Sequence, residues 1–143
     1  MRPWWRRGHV VTTGTETYGV RTSQDVVLVR QIVRQKTTEL GFSLIGQTKL
    51  VTAASELARN TLEHGRGGQV LIDAVQNGYR AGLRLVFEDS GPGIPDVHLA
   101  LSDGYSTGTG LGLGLGGSRR LVSEFEIESR VGEGTRITII GWK

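Results

Sequence analysis

From Gly104 to Gly117 the chain reads Gly-Tyr-Ser-Thr-Gly-Thr-Gly-Leu-Gly-Leu-Gly-Leu-Gly-Gly, with a glycine at every second position from Gly108 to Gly116. Glycine loses more backbone entropy on ordering than any other residue, so a run like this is a poor interior for either a helix or a strand. What it offers instead is unshielded backbone amides. They feed into a helix predicted around Leu113–Ser123, with Arg119 and Arg120 in its first turns, and amides at a helix N-terminus form a ready site for a polyphosphate. No Gly-Lys-Ser/Thr follows, so the run is not a Walker A loop, and counted from Gly108 the Gly-x-Gly-x-x-Gly spacing is broken by Leu113. A flexible lid or a low-complexity linker would also account for the glycines, although the interleaved leucines point to a packed element.

At 143 residues the chain supports one hydrophobic core, which assigns residues 1–15 to a flexible leader and 16–143 to a single domain. The formal charge is +3, with 17 basic and 14 acidic residues, but Arg2, Arg6 and Arg7 account for the excess. A domain with balanced charge lacks the basic footprint of nucleic-acid binding. There is no cysteine, which removes disulfides and thiolate chemistry. No apolar run approaches the ~18 residues of a membrane span, so no membrane partner is expected and the expected location is the cytoplasm.

Glu16–Arg21 has the composition of an edge strand. Apolar residues at Val26, Val29, Ile32, Val33 and Leu40 predict a helix over Asp25–Leu40, capped by Ser23 and stopped by Gly41. A second helix is predicted from Gln47 to His64, stopped by Gly65. Gln69–Val75 and Leu83–Asp89 read as a hairpin turning at Gln76–Gly78, and Phe125–Arg130 and Thr135–Gly141 as a second strand pair. The expected fold is α+β: a two-layer sandwich with a mixed, mostly antiparallel sheet and helices on one face.

Two further groups of residues carry chemistry. Glu56 and Asn60 are one helical turn apart beside the apolar stripe, a carboxylate and an amide suited to a general base and a metal ligand. Taken alone, a Glu56–Arg59 pair on a solvated face accounts for the same spacing. In Glu88-Asp-Ser-Gly-Pro-Gly-Ile94, counting by twos from Leu83 puts Asp89 on the core-facing side of its strand. A buried carboxylate needs a partner, and a donor such as an exocyclic amine fits an acceptor-only group. Asp89 capping its own turn is the alternative. The three histidines, His9, His64 and His98, are read as structural.

The helix with Glu56 and Asn60, the Asp89-x-Gly91-x-Gly93 turn and the glycine-rich run, in that order, resemble the N box, Asp-x-Gly-x-Gly box and lid of the GHKL (Bergerat) ATPases. Thr38–Phe42, Ser55–Asn60, Glu88–Asp96 and Asp103–Thr107 are similar to the anti-sigma-factor serine/threonine kinases of stressosome switching. The resemblance covers residues 16–142. It implies ATP and Mg²⁺ as cofactors, with Glu56 as catalytic base, Asn60 as the Mg²⁺ ligand and Asp89 as adenine reader. Gly91 and Gly93 would line the base, and Gly108, Gly110, Gly112 and Gly114 would wrap the phosphates. Ile94, Thr107, Leu111, Arg119 and Thr135 are also placed in the nucleotide site. The implied partners are STAS-domain antagonist or scaffold proteins as substrates and a PP2C-type phosphatase activated by binding. A histidine kinase would need a dimerising phosphoacceptor domain for which the chain has no room. A regulator that sequesters a sigma factor, with ATP shaping its surface, is the alternative from another class.

Overall fold

The computed structural model describes residues 14–102 and 114–143. In chain order these form β1 (Glu16–Val20), α1 (Ser23–Glu39), α2 (Leu44–Glu63), β2 (Gly68–Asn77), β3 (Arg80–Asp89), α3 (Val97–Ala100), α4 (Gly114–Arg120), β4 (Glu124–Arg130) and β5 (Gly134–Trp142). The strands make one sheet in the order β1-β2-β3-β5-β4, and each of these pairings is antiparallel, with no parallel pair among the described residues. The α+β architecture is as the sequence suggests, and the helices cover one face.

The cap of α1 is Thr22, one residue before the expected Ser23: its hydroxyl accepts from the Asp25 amide while the Asp25 carboxylate accepts from the Thr22 amide, a reciprocal capping box. Val26, Val29, Ile32 and Val33 are buried as the periodicity requires. At the far end Gly41 takes φ 85° and the Phe42 amide reaches back to the Thr37 carbonyl at 2.9 Å, which closes the helix. The second helix begins earlier than its apolar stripe. Ser43 caps it, and its first turn carries Leu44 and Ile45 at 73% and 70% exposure, out of phase with the buried residues Leu50, Ala53, Ala54 and Leu57.

The β2–β3 hairpin pairs as far as Asn77 opposite Arg80, so the turn is Gly78–Tyr79, with Gly78 at φ 62°. Leu83, Leu85 and Phe87 face the helices together with Val70, Ile72, Ile137 and Ile139, and this row is the core. On the opposite face Arg84 grips Asp73 with two hydrogen bonds, 3.0 and 2.7 Å, and Gln69 donates to the buried Glu88 at 3.2 Å. The edge strand β4 turns Phe125 and Ile127 toward the core and exposes Glu124, Glu126 and Glu128. The helix α4 ends at Arg120 rather than Ser123, and the short α3, capped by Asp96, was not anticipated.

Candidate nucleotide-binding site

Where β3 runs out at Asp89, a cavity of about 420 Å³ opens between the sheet and the C-terminal half of α2. Its floor is Phe87 and Ile137, its back wall α2, and its front the Pro92–Asp96 segment with Leu99, Ala100 and Leu115. Glu56, Asn60, Asp89, Gly93, Ile94, Gly114 and Thr135 all line it. The strand register puts Thr135 directly opposite Asp89, so two core-facing polar groups end adjacent strands at the same level.

Asp89 is 8% exposed. Burial pushes its carboxyl above the ordinary aspartate value, opposed by the Gly91 and Thr135 amides, which donate to the carboxylate, and by the nearby His64. The Gly91 amide to Oδ1 distance is 3.0 Å. Asp89 therefore caps its own turn and also faces the cavity.

The glycines around it are there for space. A Cβ on Gly65 would sit 2.4 Å from Asp89 Cγ, one on Gly134 would sit 2.1 Å from the Asp89 carbonyl oxygen, and one on Gly93 would sit 2.4 Å from the Arg130 carbonyl oxygen. Gly93 and Gly134 also have φ of 77° and 131°, values that disfavour other residues. Gly91 departs from expectation. It packs against Gly65 behind the Asp89 turn, outside the cavity lining, and acts through its amide on the carboxylate.

Glu56 is turned into the cavity with its side chain 14% exposed, and its Oε1 accepts from Arg59 Nη1 at 3.0 Å. Asn60 lies one turn further on the same face, and its backbone carbonyl accepts from the His64 and Gly65 amides as the helix ends. Arg119 is exposed on α4 and does not line the cavity, unlike its expected place in the site. Thr107, Gly108, Gly110, Leu111 and Gly112 lie outside the described residues. Sequence reading missed His64 and Gly65 as site residues. The sequence marks Gly65 as a helix stop, yet the left-handed turn that ends α2 belongs to Arg66 and Gly67, at φ 61° and 95°.

The donor set fits a purine nucleotide: an acceptor-only carboxylate inside an apolar slot, with backbone brought close by glycine. No group of three or more His, Cys, Asp or Glu able to hold a metal occurs among the described residues. No helix among the described residues is long and apolar enough to cross a membrane.

Residues 45–141 match the family described as histidine kinase-, DNA gyrase B- and HSP90-like ATPases, and the chain belongs to that family. It is 45% identical over 123 residues to the serine/threonine-protein kinase RsbT of Bacillus subtilis (strain 168), a match that covers 86% of this chain and 92% of that protein. In fold it is similar to the crystal structure of the RsbU and RsbW domains of Rv1364c from Mycobacterium tuberculosis, at a TM-score of 0.60 and 21% identity, covering 90% of this chain and 33% of that longer one. The domain is thus of an ATP-using kind.

Gly65→Ala follows as a direct test of the packing behind Asp89. Its Cβ would lie 2.6 Å from Asp89 Cβ and 2.5 Å from Oδ2, so the carboxylate must move. Overpacking of this sort costs about 1–3 kcal/mol. The expected result, read by calorimetric titration and thermal unfolding, is a lowered melting temperature and ATP affinity reduced about tenfold or more, as befits displacement of a charged hydrogen-bonding group. Affinity within twofold of wild type would remove Asp89 from the binding site.

Proposed function

We propose that the chain is a serine/threonine protein kinase that transfers the γ-phosphate of ATP to a hydroxyl of a STAS-domain partner in a cytoplasmic partner-switching pathway. When released from that partner, it activates a PP2C-type phosphatase by binding. The observation that carries the reading is the convergence of Glu56, Asn60 and Asp89 on one cavity in a chain 45% identical to a serine/threonine-protein kinase.

In this reading Asp89 receives the adenine amino group, Thr135 and Gly93 flank the base, and Ile94 packs on it. Asn60 offers its amide oxygen to Mg²⁺, which when bound neutralises phosphate charge. Of the glycine-rich run assigned to the phosphates, Gly114 lines the cavity, and Gly108, Gly110 and Gly112 lie outside the described residues. Glu56, at the cavity wall, accepts the proton of the partner hydroxyl as its oxygen bonds to the γ-phosphorus and the bond to the β–γ bridging oxygen breaks, the electron pair leaving on ADP. Phosphoryl transfer asks little covalent chemistry of the protein beyond position and charge, so a domain this small suffices.

The test is to incubate the protein with host lysate and ATP labelled on the γ-phosphate, in parallel with ATP labelled on the α-phosphate. The expected outcome is one small labelled protein with the γ-label, dependent on added kinase, and none with the α-label. Absence of any γ-labelled band, with ATP binding measured separately, would favour a non-catalytic ATP-gated regulator that binds its target protein.

A further inference from the structure

We infer that Arg59 is a gate on Glu56, holding the carboxylate engaged until a protein partner takes the arginine away. The inference rests on the kinase reading of Glu56 and adds a regulation to it. Glu56 faces the cavity, whereas Arg59 lies outside the lining, with its side chain 41% exposed against 14% for Glu56. Their contact is a single hydrogen-bonded ion pair of 3.0 Å between residues three apart on α2. The arginine thus ties the inner group to the outer surface.

With its arginine 41% exposed the ion pair is screened by solvent and weak, which suits a contact that has to be exchanged. Without a partner, water is the available nucleophile. Its oxygen would bond to the γ-phosphorus while the bond to the β–γ bridging oxygen breaks, the electron pair leaving on ADP and the proton passing to Glu56. With Oε1 held by Arg59, Glu56 takes that proton less often and ATP is spared. A partner that carries an acidic side chain beside its acceptor hydroxyl competes for the guanidinium, and the carboxylate is released where the hydroxyl needs it. Arg59 is therefore a positioning residue, and it couples docking to chemistry without touching the nucleotide.

The experiment is single-turnover hydrolysis of γ-labelled Mg²⁺-ATP by the full chain without any partner, in wild type, Arg59→Ala, Arg59→Lys, Glu56→Gln and the Arg59→Ala/Glu56→Gln double variant, each checked for folding by thermal unfolding. Arg59→Ala is expected to raise the hydrolysis rate about two- to fivefold, the scale on which exposed ion pairs bias populations, with the KM for ATP unchanged. Arg59→Lys, which keeps the cation, should return the rate toward wild type, and the double variant should show no gain. A rate in Arg59→Ala equal to or below wild type, with Glu56→Gln slower than wild type, overturns the gate and leaves the base in place. A Glu56→Gln rate equal to wild type overturns the base and the gate together.

Discussion

Glu56→Gln is expected to lower transfer of phosphate to the partner by about 10²–10⁴-fold, the usual contribution of a positioned general base, and to leave ATP affinity within about twofold of wild type. The split follows from where Glu56 sits. It lines the cavity from α2, while the buried carboxylate of the same cavity, Asp89, comes from the end of β3. Glutamine keeps the shape and the ability to meet Arg59 through its amide oxygen, but cannot accept a proton. Transfer and affinity measured on the same preparation check this. A loss of ATP binding in step with transfer would show that Glu56 supports the nucleotide and not the reaction.

Asp89→Asn is expected to weaken ATP binding roughly ten- to hundredfold, the worth of a charge-assisted hydrogen bond. An ionised carboxylate accepts on both oxygens, and here the Gly91 and Thr135 amides already claim acceptors. Asparagine has one acceptor oxygen and turns donors toward donors. The same site gives a pH dependence whose sign is fixed. Because burial raises the folded-state pKa of Asp89, its contribution to stability of the nucleotide-free protein is present below the ordinary aspartate value and is lost as pH rises through the raised one. ATP, which needs the ionised form, should bind progressively more weakly as pH falls through that raised value, and Asp89→Asn should flatten the dependence. Titrations of ATP affinity against pH in the two proteins check both statements. An equal slope in both would assign the proton to another group.

How much of this was legible beforehand depended on distance along the chain. The period of two from Leu83 to Asp89 is local, and it put the carboxylate on the core-facing side where the structure has it. The stripe of α1 and the positive φ at Gly41 were local too. The start of α2 was hidden because exposed Leu44 and Ile45 break the apolar phase, and the true cap, Ser43, sits ahead of them. Gly65 and Gly134 were invisible as site residues for a different reason. Each is a glycine because of Asp89, a contact between segments far apart in sequence that no periodicity encodes. Gly91 stood in the motif, but only the packed fold shows that it works from behind the carboxylate. The Glu56–Arg59 pair is present, but the Glu56 side chain is turned into the cavity and 14% exposed, not set on a solvated face.

The alternation along β4 bears on how this protein keeps company. A sheet can in principle grow by adding a neighbour along an unpaired rim. Along this one, Glu124, Glu126 and Glu128 stand at every second position and are exposed. A second copy laid antiparallel on the same rim and centred on Glu126 would bring a like row of carboxylates against them, and repulsion would oppose that union. Self-association by sheet extension is thereby discouraged on the β4 side, and a strand able to settle there would have to bring lysine or arginine with it.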